Sequence, residues 1–206
     1  MANAPKFSER TLEDFKSRLI GGGARPNLFE CDINFPDFAI PEGDSEAGVN
    51  EITRFMCKAA QLPASNVAEI PVPFRGRVLK VAGDRTFDPW TITVVNDVDF
   101  RIRTAFEKWM NGINKHDDNS GLINPVDYQR QAHVKQLGRA SGTDSIPVLK
   151  QYEFCGVFPT NVSEIEVSYD SSDIIEEFTV TLQVQWWDAQ NSNGDTQIAT
   201  EEPAAT

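Results

Sequence analysis

The chain has 206 residues, 40% of them hydrophobic and 10% aromatic, which suits one ordinary domain with a sizeable core and excludes a disordered polypeptide. The formal net charge is −12, and no apolar run approaches the length needed to span a bilayer. Residues 1–23 lack the apolar stretch of a secretory signal, so folding in a cytoplasm is expected.

In chain order, Ser8–Ile20 reads as a short amphipathic helix. Ser8 is a cap, Phe7 staples onto Leu12, and Leu12, Phe15 and Leu19 form the apolar stripe ahead of Gly21-Gly22-Gly23. Leu28–Phe35 alternates, with Phe29, Cys31, Ile33 and Phe35 on one face, as a half-buried strand does. Pro36–Gly48 has loop composition, and Glu51–Lys58 and Ala68–Val81 are strand candidates. Pro71 and Pro73 cannot donate to a ladder, which places the start of that second run at an edge or outside the sheet. Ala82-Gly83-Asp84-Arg85 reads as a turn, and Thr91–Val95 as a strand with Ile92 and Val94 on one face. Asn96 or Asp97 then caps a helix whose stripe is Ile102, Phe106, Trp109 and Ile113.

Beyond it, Tyr128–Leu137, Val148–Phe158, Glu164–Tyr169 and Phe178–Trp187 are strand candidates, separated by loops at His116–Pro125 and Gly138–Pro147. In the last strand Phe178, Val180, Leu182, Val184 and Trp186 face one way and Thr179, Thr181, Gln183, Gln185 and Trp187 the other. The expected fold is mainly β with one substantial helix, an antiparallel β-sandwich or barrel. Residues 1–23 form an arm with a short helix, residues 24–188 a single body, and residues 189–206 a polar acidic tail.

Chemistry is hard to find. Cys31, Cys57 and Cys155 sit in apolar, strand-like surroundings without CxxC spacing, and are expected to be buried and reduced. His116 lies in a polar loop beside Asp117 and Asp118, and His133 lies in an alternating strand at an exposed or interface position. No nucleophile elbow, P-loop or dinucleotide fingerprint occurs, so neither an enzyme nor a cofactor or metal is expected. The charge is unevenly placed. Residues 1–150 hold all 19 Lys and Arg against 20 Asp and Glu, whereas residues 151–206 hold 11 acidic and no basic residues. Arg75, Arg77, Lys80 and Arg85 form a basic cluster that can pair with the acidic quarter of an adjacent subunit. In Trp186-Trp187 one ring is expected in the core and the other outward, with Trp187 a candidate inter-subunit anchor.

Several segments carry a resemblance. VAGDRTFDPWTITVVND at Val81–Asp97 is one, and Ala24–Phe29, Phe55–Ala60 with Leu62-Pro63, Ile70–Arg77, Pro159–Val162 and Glu177–Trp187 are others. In this order, over most of Ala24–Asp188, the chain resembles the tail tube protein family of T4-like contractile-tailed bacteriophages. The acidic loop around Pro41–Gly48 and the tail after Asp188 depart from the pattern.

The resemblance implies subunits that close into hexameric rings, with sheets joined across subunits into one ring-shaped barrel. It implies a hollow tube in the virion tail, inside a sheath, on a baseplate, with its length set by a tape-measure protein. DNA is then a transient cargo without specific binding, and Pro41–Val49 and Asn114–Pro125 are candidate ring or sheath contacts. Glu164, Glu166, Glu176 and Glu177 belong to an acidic face, either simply solvated or lining the lumen, where like charge keeps phosphate from sticking. A protein-carrying injection particle and a carbohydrate-binding sandwich built on the tryptophans remain as alternatives.

Overall fold

A computed structural model describes residues 11–19, 23–139 and 146–190 of the chain. Its backbone is organised by one long strand, β7 (Val148–Val162). Along its first half β7 pairs with β6 (Arg130–Leu137) on one side and β9 (Trp186–Gln190) on the other. Along its second half it pairs with β8 (Glu177–Gln183), which is followed in the sheet by β5 (Trp90–Val95) and the short β2 (Cys57–Ala60). Strand β1 (Phe29–Ile33) lies outside β6 and is the far edge. Every pairing is antiparallel, and the described sheet is open, not closed into a barrel within the chain.

The handover between the two halves falls at Gly156. The β6–β7 register shifts there, and Gly156 has φ +64°, a left-handed conformation that a Cβ disfavours. A Cβ at this position would also lie 2.5 Å from Cγ of Gln185. Opposite the bend, Val184 and Gln185 interrupt what the sequence presents as one strand, Phe178–Trp187, and divide it into β8 and β9. Phe178, Val180, Leu182 and Val184 are buried as expected, but the break turns Trp186 outward, half exposed.

The core fills the space inside the bent sheet. Ile92 and Val94 of β5 and Cys31 and Ile33 of β1 supply alternate buried side chains, while Trp90 stacks on Phe154 of β7 at 4.4 Å. Helix α3 (Arg101–Ile113) lays Ile102, Phe106 and Trp109 onto this surface, with Ile113 half-buried at its end. Phe35, just after β1, packs edge-on against Phe106 and Trp109 at 4.9 and 5.7 Å. The Trp109 indole N–H donates to the Tyr128 carbonyl at 2.8 Å, in the short helix Pro125–Tyr128, so this buried donor is met.

Several expectations are corrected. Only the last two residues of Glu51–Lys58 are strand, as the start of β2: helix α2 (Glu46–Met56), capped by Ser45, occupies the rest, because Val49, Ile52, Thr53 and Met56 recur at helical spacing. The described residues therefore hold two substantial helices, not one. Pro36–Gly48 likewise contains a 3-10 turn at Asp37–Ala39 and the start of α2, and Val49, expected in a contact loop, is fully buried. Neither Asn96 nor Asp97 is the cap of α3. Phe100 occupies that position at φ +53°, while the Asp97 carboxylate accepts from the Arg101 amide at 3.3 Å. Glu164–Tyr169 is exposed loop, since no strand pairs with it. The N-terminal helix α1 spans Leu12–Arg18 with Thr11 in a capping box with Asp14; the expected Ser8 cap, the Phe7 staple and Gly21-Gly22 lie outside the described residues.

The bend makes a measurable demand on Gly156. Gly156→Ala is expected to cost about 1–3 kcal/mol in chemical denaturation. The cost should shrink when Gln185→Ala removes the colliding side chain, and equal costs in both backgrounds would contradict the packing described.

Candidate assembly surface

The largest departure from the sequence reading is also an exposed part of the molecule. Residues Ala68–Val81 are not one strand but most of a hairpin, β3 (Ser65–Phe74) and β4 (Arg77–Phe87), forming a separate two-stranded sheet. The turn falls at Arg75-Gly76, both with positive φ, the condition for a two-residue hairpin turn of the primed type. Gly83-Asp84, which signals a turn in sequence, instead lies at a bulge opposite Ala68, within the ladder. Pro71 and Pro73 are tolerated because the ribbon joins no larger sheet.

Cross-strand pairing divides the ribbon into two faces. Ile70 lies opposite Val81 and Val72 opposite Leu79, with Phe74 opposite Arg77 at the tip. Directly opposed residues share a face, so one side is apolar along its length. All five of these apolar residues are exposed, Phe74 at 66%. The other face is mixed, with Lys80 bonded to Glu69 at 2.7 Å. At the tip the Arg75 guanidinium lies 5.4 Å from the Phe74 ring centre.

The ribbon is held at its base. Trp187 packs edge-on against Phe87 of β4 at 6.2 Å and Tyr152 of β7 at 5.8 Å, and its indole N–H donates to the Ala64 carbonyl at 3.1 Å. Asn66 donates to Asp88 at 2.9 Å across the two strands. Trp187, singled out in the sequence for contact between subunits, thus anchors the ribbon to its own body, and Trp186 is the outward ring.

The acidic residues gather at the opposite end. The connection from β7 to β8, residues 163–176, is exposed and carries Glu164, Glu166, Asp170 and Asp173, none of which bonds through its side chain to another described residue. Its neighbours Glu176 and Glu177 are engaged: Glu176 accepts from Asn96 at 3.0 Å, and Glu177 pairs with Lys58 at 2.5 Å. The connection borders an open pocket of about 490 Å³ lined by Ile165, Val167, Ile174, Ile175 and Glu166 among others. Strand β5 relates the two features. The chain leaves β2 for the ribbon beside Ile92 and re-enters β5 at Trp90, whereas the acidic connection meets β5 at Val95, opposite Glu177.

The body between these ends is internally paired. On the β1–β6–α2 surface Asp32 accepts from Lys135 at 2.8 Å and from Arg54, which also reaches Glu30 at 2.9 Å. Partial burial would raise the Asp32 carboxyl, but the bonds from Lys135 and Arg54 outweigh it and hold the group below its ordinary value. His133 of β6 is half-buried with Nε2 3.8 Å from Glu153, while His116 is in the exposed Asn114–Pro125 loop, where Ile123 is almost wholly exposed. Cys31 and Cys57, distant in sequence, meet in the core: their hydrogen bond lowers Cys57, and the same bond with burial raises Cys31. Cys155 is only half-buried, not fully as expected, and desolvation lifts its thiol to about 11.

Such a body, with its apolar ribbon, shares its fold with chains of contractile particles. It aligns with a chain of the anti-feeding prophage baseplate at a TM-score of 0.57 and 10% identity, covering 82% of this chain and 97% of that one. A chain of the sheath-tube complex of an extracellular contractile injection system aligns at 0.51 and 16%, covering 85% and 97%. Sequence narrows the class. The tail tube protein gp19 of Enterobacteria phage T4 is 37% identical over 168 residues, 82% of this chain and 93% of that protein. A tail tube protein of Serratia phage KSP90 is 29% identical over 178 residues, 84% and 93% of the two chains. Residues 24–190 match the phage tail tube protein family, and the chain belongs to it. It is a structural subunit of a contractile phage tail tube and a component of the virion, which sets aside the carbohydrate-binding reading.

The ion cluster around Asp32 generates a pH dependence. Because its carboxyl is held below the unfolded-state value, its contribution is complete above that value, about pH 4. The contribution is lost as the pH falls further, through the folded-state value. Denaturation midpoints should therefore drop as the pH falls below about 4, and Asp32→Asn should flatten that drop while lowering stability at neutral pH.

Proposed function

We propose that the chain closes with copies of itself into hexameric rings that stack into the hollow inner tube of a contractile tail. The genome passes through that tube. The observation that carries this reading is the apolar face of the β3–β4 ribbon. A two-stranded ribbon is marginal in water, and an exposed row of paired Ile, Val, Leu and Phe needs a covering surface. A subunit built for assembly supplies that surface from its own copies. The open edges at β1 and β2 offer unpaired backbone groups for strand addition between neighbours, the contact that joins separate sheets into a ring-shaped barrel.

In this reading residues 24–188 are the ring-forming body, and the arm before it and the tail after it are appendages. The exposed stripe Leu12, Phe15 and Leu19 of α1 suits an arm that docks on another subunit. Arg75, Arg77, Lys80 and Arg85 make inter-subunit contacts, and Trp187 contributes by fixing the ribbon's base. Glu164 and Glu166 belong to an acidic face that carries free charge, whereas Glu176 and Glu177 are engaged within the chain. The sheath, the baseplate and the tape-measure protein are the partners, with the Asn114–Pro125 loop and Pro41–Asp44 among the outward contacts.

The mechanism is mechanical and has no catalytic step. The tube guides its cargo by shape, and DNA passes as cargo without specific binding. The 37% identity to the T4 tube protein, against 16% to the injection-system chain, favours DNA over protein as what passes through.

Negative-stain microscopy of the purified chain tests this reading. Rings or tubes with a central hole are expected, lengthening with concentration. A monomer that stays monodisperse at every concentration would overturn it.

A further inference from the structure

The apolar ribbon and the acidic connection are opposite in charge and do not meet within one chain. Their positions on β5 explain why. The ribbon is attached at the Trp90 end and the connection docks at the Val95 end, so the length of a six-residue strand, roughly 20 Å, separates their roots. Their chemistry is complementary. The ribbon holds four cations against two carboxylates, and Arg75, Arg77 and Arg85 have no ion-pair partner among the described residues. The connection holds Glu164, Glu166, Asp170 and Asp173, likewise without side-chain partners there, and of these Glu166 lines an open pocket together with Ile165, Val167, Ile174 and Ile175. In the body between them, by contrast, Arg54, Lys58, Arg101, Arg103 and Lys135 each have a carboxylate within reach.

We infer that the Phe74–Arg77 tip of one copy seats in the cavity of the 163–176 connection of a second copy, so that subunits join head to tail along β5. Phe74 supplies the apolar anchor for a cavity of about 490 Å³. Arg75 and Arg77 bring the charge that Glu164 and Glu166 lack. The Arg75–Phe74 stacking keeps the guanidinium beside the ring, so both enter together. Different surfaces meet on the two partners, so the contact is heterologous. It leaves a free ribbon at one end of every assembly and a free cavity at the other, and it propagates without limit unless something caps it. That is the polarity a growing tube needs. This contact rests on the tube reading and specifies which surfaces carry the growth.

Charge exchange tests it, with sedimentation and negative-stain microscopy as readouts. R75E/R77E alone and E164K/E166K alone should each raise the concentration needed for assembly on the order of 100-fold, as juxtaposed like charges do. Far- and near-ultraviolet circular dichroism matching the wild type would show each variant folded. An equimolar mixture of the two variants should assemble again, because each ribbon then meets a connection of opposite sign. A chain carrying all four substitutions should assemble by itself. Wild-type-like assembly of R75E/R77E, or failure of both the mixture and the fourfold variant to recover, overturns this contact while leaving the tube reading intact. If the wild-type chain forms no rings or tubes, both fall.

Discussion

A 15-residue strand that serves two sheets must turn somewhere, and in this subunit the turn is confined to one residue without a Cβ. Before Gly156 the partners of β7 are β6 and β9, and after it the strand runs beside β8. Antiparallel sheets twist, and a bulge concentrates that twist at one point. The bend brings Trp90 of β5 onto Phe154 of β7 and makes room for α3 to lay Phe106 and Trp109 against Phe35. It also breaks the last strand into β8 and β9 at the opposing residues, which throws Trp186 outward and seats Trp187 under the ribbon. Much of what makes the surface functional descends from that single conformational demand.

The placement of ribbon and acidic connection follows from it. Strand β5 runs through the second half of the bent sheet, and the ribbon and the connection join the body at its two ends. One end launches a ribbon with an apolar face that the monomer never covers, and the other receives a connection rich in unpaired carboxylates. In a monomeric protein both would be liabilities, one for aggregation and one for self-repulsion. In the head-to-tail contact inferred above they are two halves of one interface.

The charge distribution makes the same distinction between interior and ends. The β1–β6–α2 surface carries Glu30, Asp32, Arg54 and Lys135 in one mutually satisfied cluster, and Lys58 and Asn96 fasten the start of β8 by binding Glu177 and Glu176. These groups stabilise the body and are used up in doing so. The net charge of −12 therefore says little about function until the engaged carboxylates are separated from the free ones. Two of the four glutamates that the sequence marks as an acidic face prove to be fasteners.

Elements whose periodicity is local were legible in the sequence. The alternation of Thr91–Val95, the stripe Ile102, Phe106 and Trp109, and the alternation from Phe29 to Ile33 each describe a buried face of the structure, because side-chain direction in a strand or helix depends on a few neighbouring residues. The charge asymmetry and the ordered motifs that mark the family are properties of the chain itself and needed no coordinates. What the sequence could not decide depends on distant partners. Glu46–Met56 became a helix because Val49 and Thr53 find the core from a helical face, although β-branched residues there suit a strand equally well. Ala68–Val81 became a ribbon because Arg75-Gly76 supplies the turn while Gly83-Asp84 is absorbed as a bulge in the resulting ladder. The sequence by itself determined which residues are apolar, which are charged and which family they belong to. Tertiary structure alone decided which charges are spent inside the body and which stand free at its ends, because pairing and register join residues that the chain keeps far apart.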